Sequence, residues 1–567
     1  VCRFNYGPIL LIIKKVLLII IFLSIRCFAK TNEPNVSISP LAKDVPVVVL
    51  SSLARVLQDK INVIGTDRAE IFCAKNEYES FQIILSNTTN KAVSNINLKT
   101  GNWHFKGDPG EAAPAITLYR EHYVYVKFLS PNSTAEKGWY PDALIPFINP
   151  YDGKEITNAK YLAKNYTVGS HKSQSYWVDI FVNSNVKAGQ YINEIKVYSG
   201  TELLSIIPIK LNVWDFKLPN VHELKTYFGK IKDLSRYHGI SEKSAECDLL
   251  KKRYQEMLLK NGINMPYEIY PQKRLANGEV IFDANYVKDL RKFTDEMHPQ
   301  MFKVPSYYSN TPEKLKKYLQ SYESFVMRNP WVGQAFLYID EPDSLDDYKI
   351  VKLNGDCLNQ FAPSIKLLVT EQIKPLKENF PSLEGYVDIW VPLFLKADCN
   401  DIKRRQQEGD EVWSYTALSR DSSVPVWLLD FPLLNYRIPA WFSWSLNLKG
   451  LLYWNAMSWA GSEKIDPWID SETYSIGGKH WNGEGSLLYP GEDAGIIGPV
   501  ASIRLKVFRD SVEDYDYFII LSKQIGLEES KRITSEIASS FRHFSNNPND
   551  YLETRKNIAQ IIKSKLK

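Results

Sequence analysis

Between residues 47 and 216 the apolar positions fall in short runs rich in β-branched and aromatic side chains. The strongest are ESFQIILSN at 79–87, ITLYREHYVYVKF at 116–128, SYWVDIFV at 175–182, YINEIKVYS at 191–199 and LLSIIPIKLNVWDF at 203–216. Turn formers such as Lys187-Ala188-Gly189 and Ser199-Gly200 separate them, and YINEIKVYS alternates as a half-buried antiparallel strand does. No long helical pattern interrupts, so an antiparallel β-sandwich is expected over 30–216. KLPN at 217–220 reads as a linker.

After Glu223 the period changes. Short apolar strands are expected near 225–230, 263–269, 301–306, 334–341, 366–371, 387–393, 411–417 and 450–457, most followed by an amphipathic helical stretch. AECDLLKKRYQEMLLKNG at 245–262 is one of these, with its glycine stop after the last periodic residue. Eight β-α units over 217–498 fit a (β/α)8 barrel in number and length, although a doubly wound sheet uses the same units. The stretch 460–498 is glycine-rich and irregular, and 499–524 is helical, opened by Pro499 and followed by Gly526. Two further amphipathic helices complete a C-terminal extension at 499–567. The whole reads as a multidomain α and β chain.

Composition changes this picture at one end. Ile9 to Ser24 is almost all apolar, broken by Lys14 and Lys15, and the small-residue pattern Cys27-Phe28-Ala29 follows. This is the pattern of a signal peptide at 1–29, and export to the periplasm or the cell exterior is expected. The alternative is a membrane anchor, for which the ten-residue apolar core after the lysines is too short. Removing the four basic residues of the leader leaves 65 basic against 65 acidic ones. That balance gives no electrostatic basis for binding nucleic acid. Cys73, Cys247, Cys357 and Cys399 are widely separated and the eight histidines scattered, so neither a disulfide framework, a catalytic metal nor a cofactor is expected.

The candidate chemistry lies in QAFLYIDEP at 334–342. An apolar strand ends there in two adjacent acids, Asp340 and Glu341, and a proline that cannot continue the ladder. At the C-terminal end of a barrel strand, such a pair supplies a carboxylate able to hold and return a proton. On pattern alone it reads equally as a solvated loop capping the next helix. Glu371, Glu268 and Asp430 also fall at or after strand ends and are candidates for a second catalytic acid. Nine of the 14 tryptophans lie between Trp390 and Trp481. Trp390, Tyr415, Trp454, Asn455, Trp459 and Tyr307 are candidate substrate-binding residues at the barrel mouth, where flat rings suit a pyranose, although some of these rings must simply fill the core.

FLYIDEP at 336–342, VDIWVP at 387–392, GLLYWNAMSW at 450–459 and the run from LLYPG to GPVASIRLKVFRDSVEDYDYF across 487–518 resemble glycoside hydrolase family 123, retaining β-N-acetylgalactosaminidases. The resemblance covers most of 220–525. It implies substrate-assisted hydrolysis of a glycan or glycoconjugate, in which the sugar's 2-acetamido group attacks its own anomeric carbon to give an oxazolinium ion. Glu341 is then the general acid/base, and Asp340 orients the acetamide. The alternatives are a double-displacement enzyme with a nucleophile such as Glu371, or a non-catalytic secreted carbohydrate-binding protein.

Overall fold

The computed structural model describes residues 37–105, 112–229, 234–264, 267–307, 311–459 and 466–565, and the expected leader at 1–29 lies outside them. The described chain is a mixed α and β structure. Val47–Ser51, Glu77–Asn87, Lys172–Val182, Ala115–Val126 and Gly138–Pro146 form an antiparallel five-stranded sheet in that order. A second sheet runs Ala69–Lys75, Glu202–Lys217, Gly189–Ser199, Val93–Thr100 and Tyr166–Val168, with its first pair parallel. Alternation places Tyr191, Ile195 and Val197 of the second sheet on the inner side. There they share one apolar core with Phe81, Ile83, Val178 and Ile180 of the first.

The remaining sheet structure is mainly parallel. Its strands are β1 (Lys225–Phe228), β2 (Tyr267–Glu268), β3 (Met301–Val304), β4 (Gln334–Ile339), β5 (Ile365–Val369), β6 (Ile389–Trp390), β7 (Glu411–Val412 and Ser414–Tyr415) and β8 (Gly450–Tyr453). Parallel pairing runs from β2 through β7, on to β8 and back to β1. Between β1 and β2 the contact is made by Asn264, whose carbonyl accepts from Phe228 N at 3.3 Å and whose amide donates to Thr226 Oγ1 at 2.6 Å. The strands are short because each is apolar on both faces only briefly. On β4, Ala335 and Leu337 enter the core shared with the helices, whereas Phe336 joins a second cluster with Tyr227, Met301, Leu368, Ile389, Trp413, Tyr415 and Leu452.

The helices between strands include α1 (Ala245–Lys260), α2 (Ala284–Met297), α3 (Pro312–Arg328), α4 (Leu345–Phe361), α5 (Cys399–Gln407) and α6 (Ile438–Ser445). Ser344 opens α4 with a reciprocal capping box to Asp347. The expected β-α rhythm lapses between β5 and β6, where residues 370–388 contain no helix. The stretch expected to be irregular contains a hairpin, Glu472–Ile476 with Lys479–Asn482.

The long C-terminal helix, α7 (Ile503–Ile525), does not start at Pro499. Residues 499–501 pair with 488–490, and Ser502 is the cap, its hydroxyl accepting from Leu505 N. This helix is buried almost all round through Phe518, charged residues included. Arg504 makes a two-bond ion pair with Asp142 of the five-stranded sheet, Arg509 reaches Asp179, and Asp514 accepts from Arg437 of the α6 N-cap. Two more helices, α8 (Leu527–Ser535) and α9 (Pro548–Lys565), pack on it.

Removing one partner of a buried ion pair leaves the other charge unpaired and costs about 3–5 kcal/mol. Arg504→Met, which strands Asp142, is therefore expected to lose stability of that order in urea unfolding. An unchanged midpoint would show that the pair does not hold the halves together.

Candidate active site

The end of β4 decides the position of both acids. Phe336 and Tyr338 lie on the face that packs with Tyr227, and Asp340 continues that face by the two-residue period of a strand. The Tyr338 hydroxyl donates to Asp340 Oδ1 at 2.6 Å, and the Thr370 hydroxyl donates to the same oxygen at 3.1 Å. Strict alternation would turn Glu341 the opposite way. Instead its φ is +35°, a left-handed conformation rare for a residue with a side chain and further disfavoured before proline. The bend is held by Glu341 N donating to Thr370 Oγ1 at 2.8 Å and by Tyr415 Oη donating to Glu341 Oε1 at 2.6 Å.

Thr370, at the end of β5, thus accepts from one acid's backbone and donates to the other's carboxylate. Tyr415, at the end of β7, is buried. Its burial first, and then the Glu341 carboxylate, push the phenol well above its ordinary range, so it remains a neutral donor. Tyr338 is raised in the same way by burial and by Asp340. Glu371 is half-buried. Its proton affinity is raised first by burial, and by the neighbouring Asp343 and Glu341, against a hydrogen bond from Gln372 N at 2.5 Å.

The other candidates separate clearly. Glu268, at the end of β2, is ion-paired with the nearly buried Lys303 at 2.6 Å. Asp430 is buried and accepts from the amide and hydroxyl of Ser130 at 2.7 Å each, a link to the five-stranded half of the chain rather than to the acids. Of the six proposed sugar-binding residues, Tyr415 is the one hydrogen-bonded to Asp340 or Glu341. Trp390 is fully buried, and its indole donates to Asp410 on the helix side. Trp459 packs on Tyr237, and Tyr307 stacks on Tyr318 of α3. Asn455 turns its carbonyl oxygen back onto the amides of Ala456 and Met457.

The tryptophan concentration is therefore mostly core. From Trp390 to Trp481 all are buried except Trp454, which keeps some exposure while donating to Glu484 at 2.6 Å. Tyr227, Tyr338, Thr370 and Lys303 were not singled out from sequence. Tyr338 stands two residues before Asp340 on one strand face, a signal that was legible. Thr370 needed knowledge of the neighbouring strand's register. Among the described residues no group of three or more His, Cys, Asp or Glu is placed to hold a metal, and no helix is long and apolar enough to cross a membrane.

Residues 246–521 match the family model described as glycoside hydrolase 123, catalytic domain. Among solved structures, a family 123 glycoside hydrolase from Clostridium perfringens, described for glycolipid glycan hydrolysis, superposes with a TM-score of 0.66 at 15% identity, over 92% of this chain and 98% of that one. That similarity establishes the fold. A family 39 glycoside hydrolase from Bacteroides cellulosilyticus WH2 aligns at a TM-score of 0.31 and 7% identity over 81% of this chain and 82% of its own, too loosely to bear on the argument. No curated protein sequence matches the chain.

Glu484 provides a test of the loop that carries Trp454. Burial, opposed by the Trp454 indole, raises its carboxyl from 4.5 to about 7. Below the lower value both folded and unfolded states hold the proton. Above it the unfolded chain releases its proton while the folded one retains it, so this contribution to stability is lost as pH rises through about 7. The stability of wild type relative to Glu484→Gln is expected to fall by on the order of 3 kcal/mol across that window in chemical unfolding. A pH-independent difference would contradict the buried, proton-retaining carboxyl.

Proposed function

We propose that the glycoside hydrolase 123 catalytic domain carried on residues 246–521 removes a terminal β-linked N-acetylgalactosamine, or another N-acetylhexosamine, with retention and through the substrate's own acetamide. The family match supports glycoside hydrolysis as the reaction class. The observation that carries the finer reading is that two adjacent carboxylates are turned to one side, each with its own phenolic donor.

Adjacent acids on one strand end cannot flank a glycosidic bond from opposite faces, as a nucleophile and an acid must. They can serve neighbouring atoms of one sugar. Glu341 protonates the leaving oxygen while the acetamide carbonyl oxygen closes on the anomeric carbon and the glycosidic bond breaks. Asp340, fixed by Tyr338 and Thr370, accepts from the acetamide N–H and stabilises the positive charge that develops on the ring being formed. Water then attacks the anomeric carbon, Glu341 takes its proton, and the acetamide is released. The double-displacement alternative would need Glu371 ionised as a nucleophile, whereas its burial favours the protonated form.

The same proposal takes the eight parallel strands as one (β/α)8 barrel over 217–498. Lys225 at the foot of β1 donates to Gln334 of β4 at 2.6 Å and to Glu411 of β7 at 2.9 Å. Contacts from the first strand to the fourth and seventh support a closed ring rather than an open sheet. One inner cluster fed by β1, β3, β4, β5, β6, β7 and β8 supports the same reading. The two N-terminal sheets are taken as a β-sandwich over 30–216, residues 499–567 as helices packed on the barrel, and 1–29 as an export leader. A glycoconjugate, such as the glycolipid glycan named for the Clostridium perfringens enzyme, is the proposed substrate class.

Glu341→Gln and Asp340→Asn are each expected to cut turnover of an aryl β-N-acetylgalactosaminide by roughly 10²–10⁴-fold with the fold intact. A thiazoline analogue of the oxazoline is expected to inhibit the wild type. Wild-type rates in both variants would remove the site assignment. An active enzyme indifferent to the thiazoline would remove the assisted mechanism.

A further inference from the structure

Several polar groups near the acids have no role in the chemistry just described. On β3, Met301 faces the inner cluster while Phe302 and Val304 face the helices, so Lys303 is an inward residue. Its side chain is 9% exposed and its ammonium lies 2.6 Å from Glu268 of β2, which is its partner across the register. Lys303 is also level with Phe336 of β4, so the pair sits deeper than Asp340. A charged pair in a cluster otherwise built of Tyr, Phe, Leu, Ile and Trp loses hydration that packing alone does not return. Glu268 keeps 23% of its side chain exposed, so the pair is open to a ligand from the solvent side.

Tyr227 links this pair to the acids. Its ring lies 5.0 Å from that of Tyr338 and 5.8 Å from that of Phe336. Burial raises its phenol, and the Glu268 and Asp340 carboxylates raise it further. Among the described residues that hydroxyl has no hydrogen-bond partner. An ammonium has three donors and Lys303 uses one on Glu268, while a carboxylate such as that of Glu268, which also accepts from the Tyr270 hydroxyl, offers about four acceptor positions. A phenol, an ammonium and a carboxylate around aromatic faces are the groups that read vicinal hydroxyls on a flat ring.

We infer that Glu268, Lys303 and the Tyr227 hydroxyl form the floor that recognises the C3 and C4 hydroxyls of the terminal sugar. This rests on the assignment of Asp340 and Glu341 above. Glu341 leans toward β5 and β7 through Thr370 and Tyr415, whereas the charged pair lies on the opposite, β2–β3 side and deeper. A pyranose with its anomeric carbon at Glu341 and its C2 acetamide at Asp340 then points its C3–C4 edge at the floor. The site takes a terminal residue, because a substituent on either hydroxyl would collide with the floor.

The test is a coupling between residue and hydroxyl. The wild type is expected to lose ~100-fold in kcat/KM on the 3-deoxy or 4-deoxy analogue of an aryl β-N-acetylgalactosaminide. Glu268→Gln and Tyr227→Phe should lose a similar factor on the full substrate but little more on at least one deoxy analogue. A purely structural role would lower all three substrates in proportion, and that outcome overturns the inference. Tyr227→Phe removes a single oxygen and covers the case in which Glu268→Gln fails to fold. If the wild type cleaves a β-galactoside without the acetamide and not the acetamido sugar, the mechanism above falls, while the deoxy series on that galactoside still decides the floor. If it cleaves neither, calorimetric binding of N-acetylgalactosamine and its deoxy analogues decides: coupling supports the floor, and additive losses or no binding overturn it.

Discussion

The structure depends on the burial of a charged helix. From Arg504 to Asp516, α7 carries seven charged residues, and each is buried and engaged. Arg504 binds Asp142; Lys506 and Arg509 bind Asp179; Arg509 also binds Asp510. Glu513 accepts from the amide of Tyr78, Asp514 from Arg437 and Trp441 with Arg555 ion-paired beside it, and Asp516 from His222 and the amide of Glu223. Each such charge costs several kcal/mol to dehydrate, so the helix is tolerable in place only when all its partners are present. Burial alone would raise the carboxyl of Asp179, yet Arg509 and Lys506 outweigh it and hold that carboxyl well below its ordinary range.

The partners come from everywhere in the chain: three strands of the five-stranded sheet (Glu77–Asn87, Lys172–Val182 and Gly138–Pro146), the segment leading into β1, and helices α6 and α9. The apparent linker at 217–220 is therefore no hinge. Leu218 is fully buried, and Asn76 donates to the carbonyls of Leu218 and Pro219. Arg555 near the C-terminus pairs with Glu77 and Glu79 on the second strand of the first sheet. A network of this kind specifies geometry sharply, since a displacement of either half leaves several charges unpaired at once. The resemblance in the sequence was strongest in the same helix, which is the element where the halves interlock.

What could be read from sequence follows from the range of each interaction. Strand periodicity is local, and LLSIIPIKLNVWDF or YINEIKVYS declared their strands and inner faces directly. The acid pair after FLYI was visible for the same reason. Tryptophan placement was not, because an indole on a strand end can face the inner cluster, the helices or solvent, and nothing nearby in sequence distinguishes them. Trp390 went to Asp410 because α5 supplies Arg405 to hold that carboxylate, 15 residues away. Pro499 suggested a helix start, but pairing of 499–501 with 488–490 outweighs the local preference and moves the cap to Ser502. In α7 the polar residues that mark a solvent face in an amphipathic helix are instead the adhesive.

The least legible feature is the one on which the site turns. Residue 341 precedes a proline, which favours an extended backbone, and strand alternation would send its side chain away from Asp340. A glycine would adopt the left-handed conformation without strain, but it would bring no carboxylate. The chain accepts on the order of 1–3 kcal/mol of local strain to keep an acid there. That strain is offset by bonds that only a bent Glu341 can make, one to Thr370 of β5 and one from Tyr415 of β7. The orientation of the acid is thus a joint property of three strand ends, and Thr370, which serves Asp340 as well, makes the two carboxylates a single mechanical unit. Two neighbouring carboxylates face the same side because the backbone between them is held out of its preferred shape.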